Sequence, residues 1–276
     1  MPEVIQSRYK LLKKRGSGGT GDVFQAYDLR LKRMVALKKA RDGTPEERQR
    51  RSRRLIREAE HLARIRHPNV VTIHDIVDEG GLVAIVMELV DGIPYRKLFK
   101  RGPILEHEFL RYFRQLVAAL EAVHAASIIH RDVNPRNVLL LPDETVKLGD
   151  FGLSCVAGEE SRPGGTIGYM APEALRKDQR TDYGVDVYGL GFLAYQSLLG
   201  GPMFLRLYGT IKAIEWARWV LSREKFRTLI TLGAPVTPGL SAIVERMVEK
   251  DPRERYTKIS DVRKDLERLL GRPIDA

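Results

Sequence analysis

The chain of 276 residues contains one cysteine, Cys155. That excludes an internal disulfide and a multi-cysteine metal site, and it fits a reducing compartment such as the cytoplasm. No apolar run approaches the roughly 18 residues a membrane span needs. The longest candidate, Leu82 to Val90, is interrupted by Glu88 and has the length of a strand. The N-terminus lacks the basic head and apolar body of a secretory leader. Repeats and low-complexity tails are also missing. The expectation is a cytoplasmic chain, standing alone or serving as the cytoplasmic domain of a longer membrane-anchored protein.

What is present is globular in composition, with a hydrophobic fraction of 43%. The length suits one large domain or two apposed lobes. The net charge of +11 favours acidic or phosphorylated partners, and much of the excess lies between Arg48 and Arg66. That stretch reads either as a nucleic-acid or anionic-membrane patch, or as the solvated face of a helix burying Leu55, Ile56, Ala59, Leu62 and Ala63. It carries no interleaved aromatic residues, so the second reading is preferred and no nucleic-acid partner is expected.

Residues 8 to 90 read as five strands and that helix, an α+β unit. The strands are Tyr9 to Lys14, Asp22 to Tyr27, Met34 to Lys39, Val70 to Val77 and Leu82 to Glu88, the last two joined by Glu79-Gly80-Gly81. Asp91-Gly92-Ile93-Pro94 is a turn and a candidate hinge. From residue 105 the pattern is mostly helical. Phe109, Phe113, Leu116, Leu120 and Val123 mark one apolar helix face. Short apolar runs follow at Asn137 to Leu141 and Thr145 to Leu148. Residues 152 to 170 read as a loop, and Asp186 to Leu199 as an apolar helix.

Gly16-Ser17-Gly18-Gly19-Thr20-Gly21 has the spacing G-x-G-x-x-G, a weak signal alone. It lies between two strands rather than opening a helix, which argues against a dinucleotide fold. It suits a strand-turn-strand flap whose backbone N–H groups cover phosphates, where a Cβ would hold the backbone away. His130-Arg131-Asp132-Val133-Asn134-Pro135-Arg136-Asn137 is followed by Asp150-Phe151-Gly152 and Ala171-Pro172-Glu173. Those motifs, in that order, resemble the eukaryotic-like protein kinases over about residues 9 to 270, with the bacterial serine/threonine branch closest.

The resemblance implies a bilobal kinase fold, with a five-stranded antiparallel N-lobe (about 9–90) carrying one main helix, and a mostly helical C-lobe (91–270). It implies ATP with Mg²⁺, or Mn²⁺ in its place, protein substrates, and a homodimer for autophosphorylation. Asp132 would orient the acceptor hydroxyl and take its proton. Asn137 and Asp150 would hold the metal. Lys38, in Val35-Ala36-Leu37-Lys38, would contact phosphates, with Lys39 on the opposite face. Its partner is Glu58 or Glu60. Glu58 is favoured, ten residues before Pro68 and on the same helix face as Leu62. Gly16 to Gly21 would cover the phosphates. Val23, Ala36 and Leu139 would sandwich adenine, with Met87 beside it and Glu88 and Val90 offering backbone hydrogen bonds. His130, Phe151, Leu62 and Ile73 would form a column joining the lobes. Asp186 would anchor the catalytic loop, and Glu173 would pair with Arg255.

Two positions depart from the family. Arg15 stands where an aliphatic residue precedes the first glycine. Asn134 replaces the lysine that reaches the γ-phosphate, and an amide cannot neutralise charge. Either activity is weakened, leaving a pseudokinase-like nucleotide-binding scaffold, or Arg136 takes over the lysine's role. The second is preferred, because the other chemical positions are present. Gly165 to Glu173 has the serine/threonine form, with Thr166 bridging to Asp132. Ser154, Ser161 and Thr166 are the loop's acceptors, and Ser161 is the autophosphorylation candidate. Arg131 could hold a loop phosphate. Cys155 reads as inert. Trp216 and Trp219, in a region that fits the family poorly, read as core or as a docking face.

Overall fold

The computed structural model describes residues 3–18, 21–41, 43–79, 81–158, 164–176, 181–209 and 212–274. The chain divides into two compact units, with the boundary between Asp91 and Gly92.

The first unit is an antiparallel sheet with strand order β1-β2-β3-β4-β6-β5, made of β1 (Val4–Ile5), β2 (Tyr9–Ser17), β3 (Asp22–Asp28), β4 (Arg33–Lys39), β5 (Ile73–Glu79) and β6 (Leu82–Met87). Five strands were expected. The sixth, β1, has two residues and is too short to show a period. The strand expected at Val70 starts instead at Ile73. Val70 and Val71 are buried, so their apolar character belongs to a packed connection, not to the sheet.

Alternation along the strands divides the side chains between two faces. One face buries Tyr9, Leu11, Ala26, Val35, Leu37 and Val86 together with Ile5. The other receives helix α1 (Pro45–Ala63), whose Leu55 and Ala59 pack on Ala40, Val83 and Ile85. The helix starts where Thr44 and Glu47 cap each other: the Thr44 hydroxyl accepts the Glu47 N–H, and the Glu47 carboxylate accepts the Thr44 N–H. Its buried stripe is rotated from the expected one. Ser52, Glu58 and His61 are buried, Ile56 is half-buried and Ala63 is exposed. Apolarity alone missed this because the helix turns a carboxylate towards the sheet.

Arg8 ties the far end of this sheet together. Its guanidinium donates to both oxygens of the buried Asp28, at 3.0 and 2.8 Å, and to Asp75 at 3.0 Å. The Asp28 carboxylate also accepts the N–H groups of Arg30 and Leu31.

The second unit contains β7 (Ile93–Pro94), α2 (Glu106–Ala125), β8 (Ile128–Ile129), β9 (Val138–Leu140), β10 (Val146–Leu148), β11 (Cys155–Val156), α3 (Gly184–Leu199), α4 (Gly201–Tyr208), α5 (Ala213–Leu221), α6 (Pro238–Met247) and α7 (Ile259–Leu270). The strands form small sheets, β10-β9-β7 and β11-β8. Among its described residues, the expected loop of residues 152–170 contains the strand β11, whose two residues pair with β8. The anticipated face of α2, Phe109, Phe113, Leu116, Leu120 and Val123, is fully buried. Every residue of α3 except Gln196 is buried. Two glycines allow it such close neighbours: a Cβ on Gly191 would lie 2.4 Å from the Cβ of Met247 on α6, and one on Gly189 would lie 2.9 Å from the Val133 carbonyl.

The Arg8 hydrogen bonds, joined by those from the backbone, hold the Asp28 carboxyl down at about 2 against the opposing effect of burial. A depressed carboxyl contributes stability above its unfolded pKa of about 4, and that contribution is lost as pH falls through the folded value. Asp28→Asn should therefore lower the urea midpoint at pH 7, and its deficit relative to the parent chain should shrink between about pH 4 and pH 2.

Candidate active site

In the first unit, Lys38 donates to both carboxylate oxygens of Glu58, at 2.7 and 2.9 Å, and both side chains are almost wholly buried. Glu60 is exposed and not involved. The strand period explains the choice: Lys38 shares with Ala36 and Ala40 the face on which α1 packs, and Glu58 is on the inward side of that helix. Lys39 lies on the opposite face, 2.7 Å from Glu3 and over the Phe24 ring. Val23 is opposite Lys38 in the register, and Ala36 is opposite Met87. These four residues therefore share one face.

The glycine turn joins β2 to β3, with Gly16 paired to Val23 and Ser17 to Asp22. The Gly18 N–H donates to the Gly21 carbonyl at 2.8 Å. A Cβ on Gly21 would lie 2.3 Å from the Lys39 carbonyl oxygen, so the turn requires glycine there. Gly19 and Thr20 lie outside the described residues. Arg15 sits at a register break in β2 and reaches Asp91 at 3.3 Å. Nothing in the spacing pointed to that pair. The Glu88 N–H donates to the Thr72 carbonyl at 2.9 Å, while its carboxylate accepts the Thr72 N–H, which leaves the Glu88 carbonyl as the backbone group for the expected hydrogen bond. Val90 is half-buried, as is Leu139 on β9 of the second unit.

In the second unit one carboxylate organises the loop after β8. Asp186, buried on the first turn of α3, accepts the N–H of His130 at 2.8 Å and that of Arg131 at 2.7 Å. It also meets His124 Nε2 at 2.9 Å. Burial alone would push this carboxyl up. The His124 hydrogen bond and charge, with His130 and its backbone N–H, outweigh it and hold the carboxyl below its usual range. His124 was missed from sequence, since nothing distinguishes it from other helix-end histidines. The loop needs such a hold because Arg131 has φ +67°, a left-handed conformation costly for any residue with a Cβ. His130 Nδ1 accepts the Asp132 N–H at 3.2 Å, so its proton is on Nε2, which donates to the Gly149 carbonyl at 3.1 Å. Its ring lies 4.5 Å from that of Phe151. Leu62 and Ile73, the other two members of the expected column, belong to the first unit, where Leu62 is buried and Ile73 packs beside α1.

Asp132 is held from both sides. Its Oδ1 accepts the Thr166 N–H at 2.8 Å, and its Oδ2 accepts Asn137 Nδ2 at 2.9 Å. Asn137 Nδ2 also reaches the Asp132 carbonyl, which turns Oδ1 of that amide the other way. Strands β9 and β10 pair Val138 with Leu148, and the Gly149 N–H donates to the Asn137 carbonyl at 2.8 Å. Asn137 and Asp150 are thus neighbours at the open end of one hairpin. Asp150 has φ +59° and is exposed.

Asn134 is buried and uses its whole amide internally. Nδ2 donates to the Asp132 carbonyl at 2.9 Å and to Thr166 Oγ1 at 3.3 Å, and Oδ1 accepts the Arg136 N–H at 2.9 Å. The Arg136 side chain is exposed, and its charge acts on the Tyr169 phenol against the upward push of burial. Arg131 donates to the Leu153 carbonyl at 3.2 Å. Ser154, expected as an acceptor, is buried and donates to the Phe151 carbonyl at 2.7 Å, so it is not presented for modification. Cys155 is buried in β11. Ser161 lies outside the described residues.

The segment after Thr166 is fixed at two further points. Glu173 and Arg255 form a buried bidentate pair at 2.6 and 3.1 Å. Trp216 is buried among Phe192, Phe204 and Phe226, stacks on Trp219 at 5.0 Å, and donates its indole N–H to the Gly168 carbonyl at 3.1 Å. Of the two readings of this tryptophan pair, Trp216 is core.

These side chains occupy one contiguous match to the protein kinase domain, residues 9–266. The chain belongs to the protein kinase family. It is 32% identical to a probable serine/threonine-protein kinase of Streptomyces coelicolor over 288 residues, covering 100% of this chain and 42% of that protein. It is 32% identical to the serine/threonine-protein kinase PknE of Mycobacterium bovis, covering 92% of this chain and 44% of PknE. It is 34% identical to PknL of the same organism, covering 96% and 66% respectively. The kinase chain thus spans less than half the length of the first two relatives. No helix among the described residues is long and apolar enough to cross a membrane.

Two of the Asn134 bonds lie within the loop and the third ties the loop to Thr166, so Asn134→Ala removes all three. Leaving such groups unpaired costs about 1–3 kcal/mol. Hydrogen–deuterium exchange should speed up at the amides of Arg136 and Thr166, with little change in the sheet of the first unit.

Proposed function

We propose that this kinase chain transfers the γ-phosphoryl group of ATP to serine or threonine hydroxyls of protein substrates, itself included. The observation that carries the reading is the fixed Asp132 carboxylate. Two of its roughly four acceptor sites are taken by Thr166 and Asn137, and the others remain for a hydroxyl. Its part is to orient that hydroxyl and receive its proton. Positioning of this kind supplies much of the acceleration in phosphoryl transfer.

Asn137 Oδ1 and the Asp150 carboxylate fit Mg²⁺, or Mn²⁺, as hard oxygen donors side by side. Held there, Mg²⁺ would supply positive charge that offsets the charge of the phosphates. In the first unit Lys38, oriented by Glu58, supports phosphate binding. The Gly16–Gly21 turn offers backbone N–H groups to phosphates. Within the first unit, Val23, Ala36 and Met87 offer an apolar face to the base, with Val90 a backbone donor. Asn134 has spent its amide on the loop. Arg136, exposed and always charged, is therefore the cation that serves the transferred phosphate.

Serine/threonine preference is supported by the contacts of Thr166, which set the segment beside Asp132, and by the relatives' names. The buried Cys155 fits a cytoplasmic setting. Autophosphorylation between two copies predicts that labelling per mole of kinase rises with kinase concentration.

With radiolabelled ATP and Mg²⁺, the chain should label itself and a basic protein substrate. Asp132→Asn and Asp150→Ala should each lower the rate by about 10²-fold or more, and Arg136→Ala by about 10-fold or more. An unchanged rate in Arg136→Ala sinks the compensation by Arg136. Nucleotide-induced thermal stabilisation without any labelling sinks phosphotransfer and leaves a scaffold.

A further inference from the structure

Helix α1 buries one face and presents arginine on the other. Arg50, Arg53, Arg54, Arg57 and Arg64 are all exposed. At 100° per residue they fall within a sector of roughly 100°, opposite Leu55, Ala59 and Leu62, and span about 20 Å of helix. None of the five side chains makes a hydrogen bond or ion pair within the described residues, and exposed Glu60 pairs with neither the Arg57 nor the Arg64 guanidinium. Arg50 lies three and four residues from Arg53 and Arg54, and Arg57 lies four and three from the same two. These are the spacings at which like charges destabilise a helix.

The composition is selective. Between Lys39 and Lys97 the chain has no lysine, although lysine would solvate a surface equally well. Guanidinium is the group that binds a carboxylate through two parallel hydrogen bonds. Beside the stripe runs a groove of about 610 Å³ whose charged lining is mixed, Arg48 and Arg53 with Glu46 and Asp78, and whose apolar part is Ile56 and Val83; it therefore suits the aliphatic side chain, and the carboxylates belong on the stripe.

We infer that the outward face of α1 docks an acidic peptide segment of a partner protein, with its carboxylates on the arginine stripe and an aliphatic side chain in the groove. A membrane fits less well: the apolar stripe of α1 is already buried against the sheet, and the exposed face has no aromatic or large aliphatic residue to insert. A single-stranded nucleic acid fits less well for want of aromatic stacking partners on this helix.

Docking relieves the arginine repulsion and so stabilises the helix that holds Glu58 on Lys38. The docking is independent of the phosphotransfer reading, whereas this coupling deepens it. Binding linkage is reciprocal, so peptide and nucleotide must raise each other's affinity by one common factor.

The test uses the whole chain, a fluorescein-labelled peptide of glutamates flanking one leucine, and a non-hydrolysable ATP analogue. The peptide should bind at low salt, weaken about tenfold or more as salt screens the charges, and lose about tenfold or more in Arg54→Glu/Arg57→Glu. Arg54→Gln/Arg57→Gln, with helicity checked by circular dichroism, should give an intermediate loss. Saturating peptide should raise analogue affinity about three- to tenfold, and analogue should raise peptide affinity equally. No binding at low salt, or binding indifferent to these arginines, overturns the docking site. Tighter binding of phosphatidylserine vesicles or oligonucleotides through the same arginines overturns the peptide as occupant. Peptide binding with unchanged analogue affinity overturns the coupling. None of these readouts requires turnover.

Discussion

Asp186 sits at the first turn of a helix with almost no exposed surface, and from there it grips two consecutive backbone N–H groups of the loop that follows β8. Much of the second unit depends on that grip. The left-handed Arg131 is tolerable because its N–H has a charged acceptor. The direction of His130 follows, then the Asp132 N–H that His130 accepts, and then the Asp132 carboxylate between Thr166 and Asn137. A buried carboxylate without such donors would be expensive. With His124 and two amides it becomes the fixed point of the loop. The rigidity of α3 serves the same end: its glycines let Met247 and the Val133 carbonyl come against its backbone, so the helix has little room to shift.

The first unit reaches a comparable result by a different route. Lys38 and Glu58 are each costly to bury alone and tolerable together. Strand alternation turns Lys38 to the helix side of the sheet, and the Thr44–Glu47 cap fixes where α1 begins and therefore which of its faces meets that lysine. A carboxylate two residues further along, Glu60, faces outward.

Much of this was readable from the chain because kinase chemistry needs particular residues in a particular order. Lys38, Asp132, Asn137 and Asp150 stood out for that reason, and helix phase separated Glu58 from Glu60. The unreadable parts share a cause: they depend on contacts that no local period encodes. Strand β1 has two residues. Val70 and Val71 are as apolar as a strand but lie in a packed connection. His124 and Arg15 find partners 62 and 76 residues away. Asn134 looked like a deficiency when compared with a lysine. Its three bonds show an amide that gives up charge and in return pins the loop to Thr166.

The indole of Trp216 holds the Gly168 carbonyl, a backbone atom, and a Cβ built on Gly168 would meet nothing within 4 Å. The hold is therefore blind to what side chain stands at 168. A substitution such as Gly168→Ala adds a side chain there while the underlying grip stays as it is. Space at residue 168 and the hold on its carbonyl are thus independent of one another.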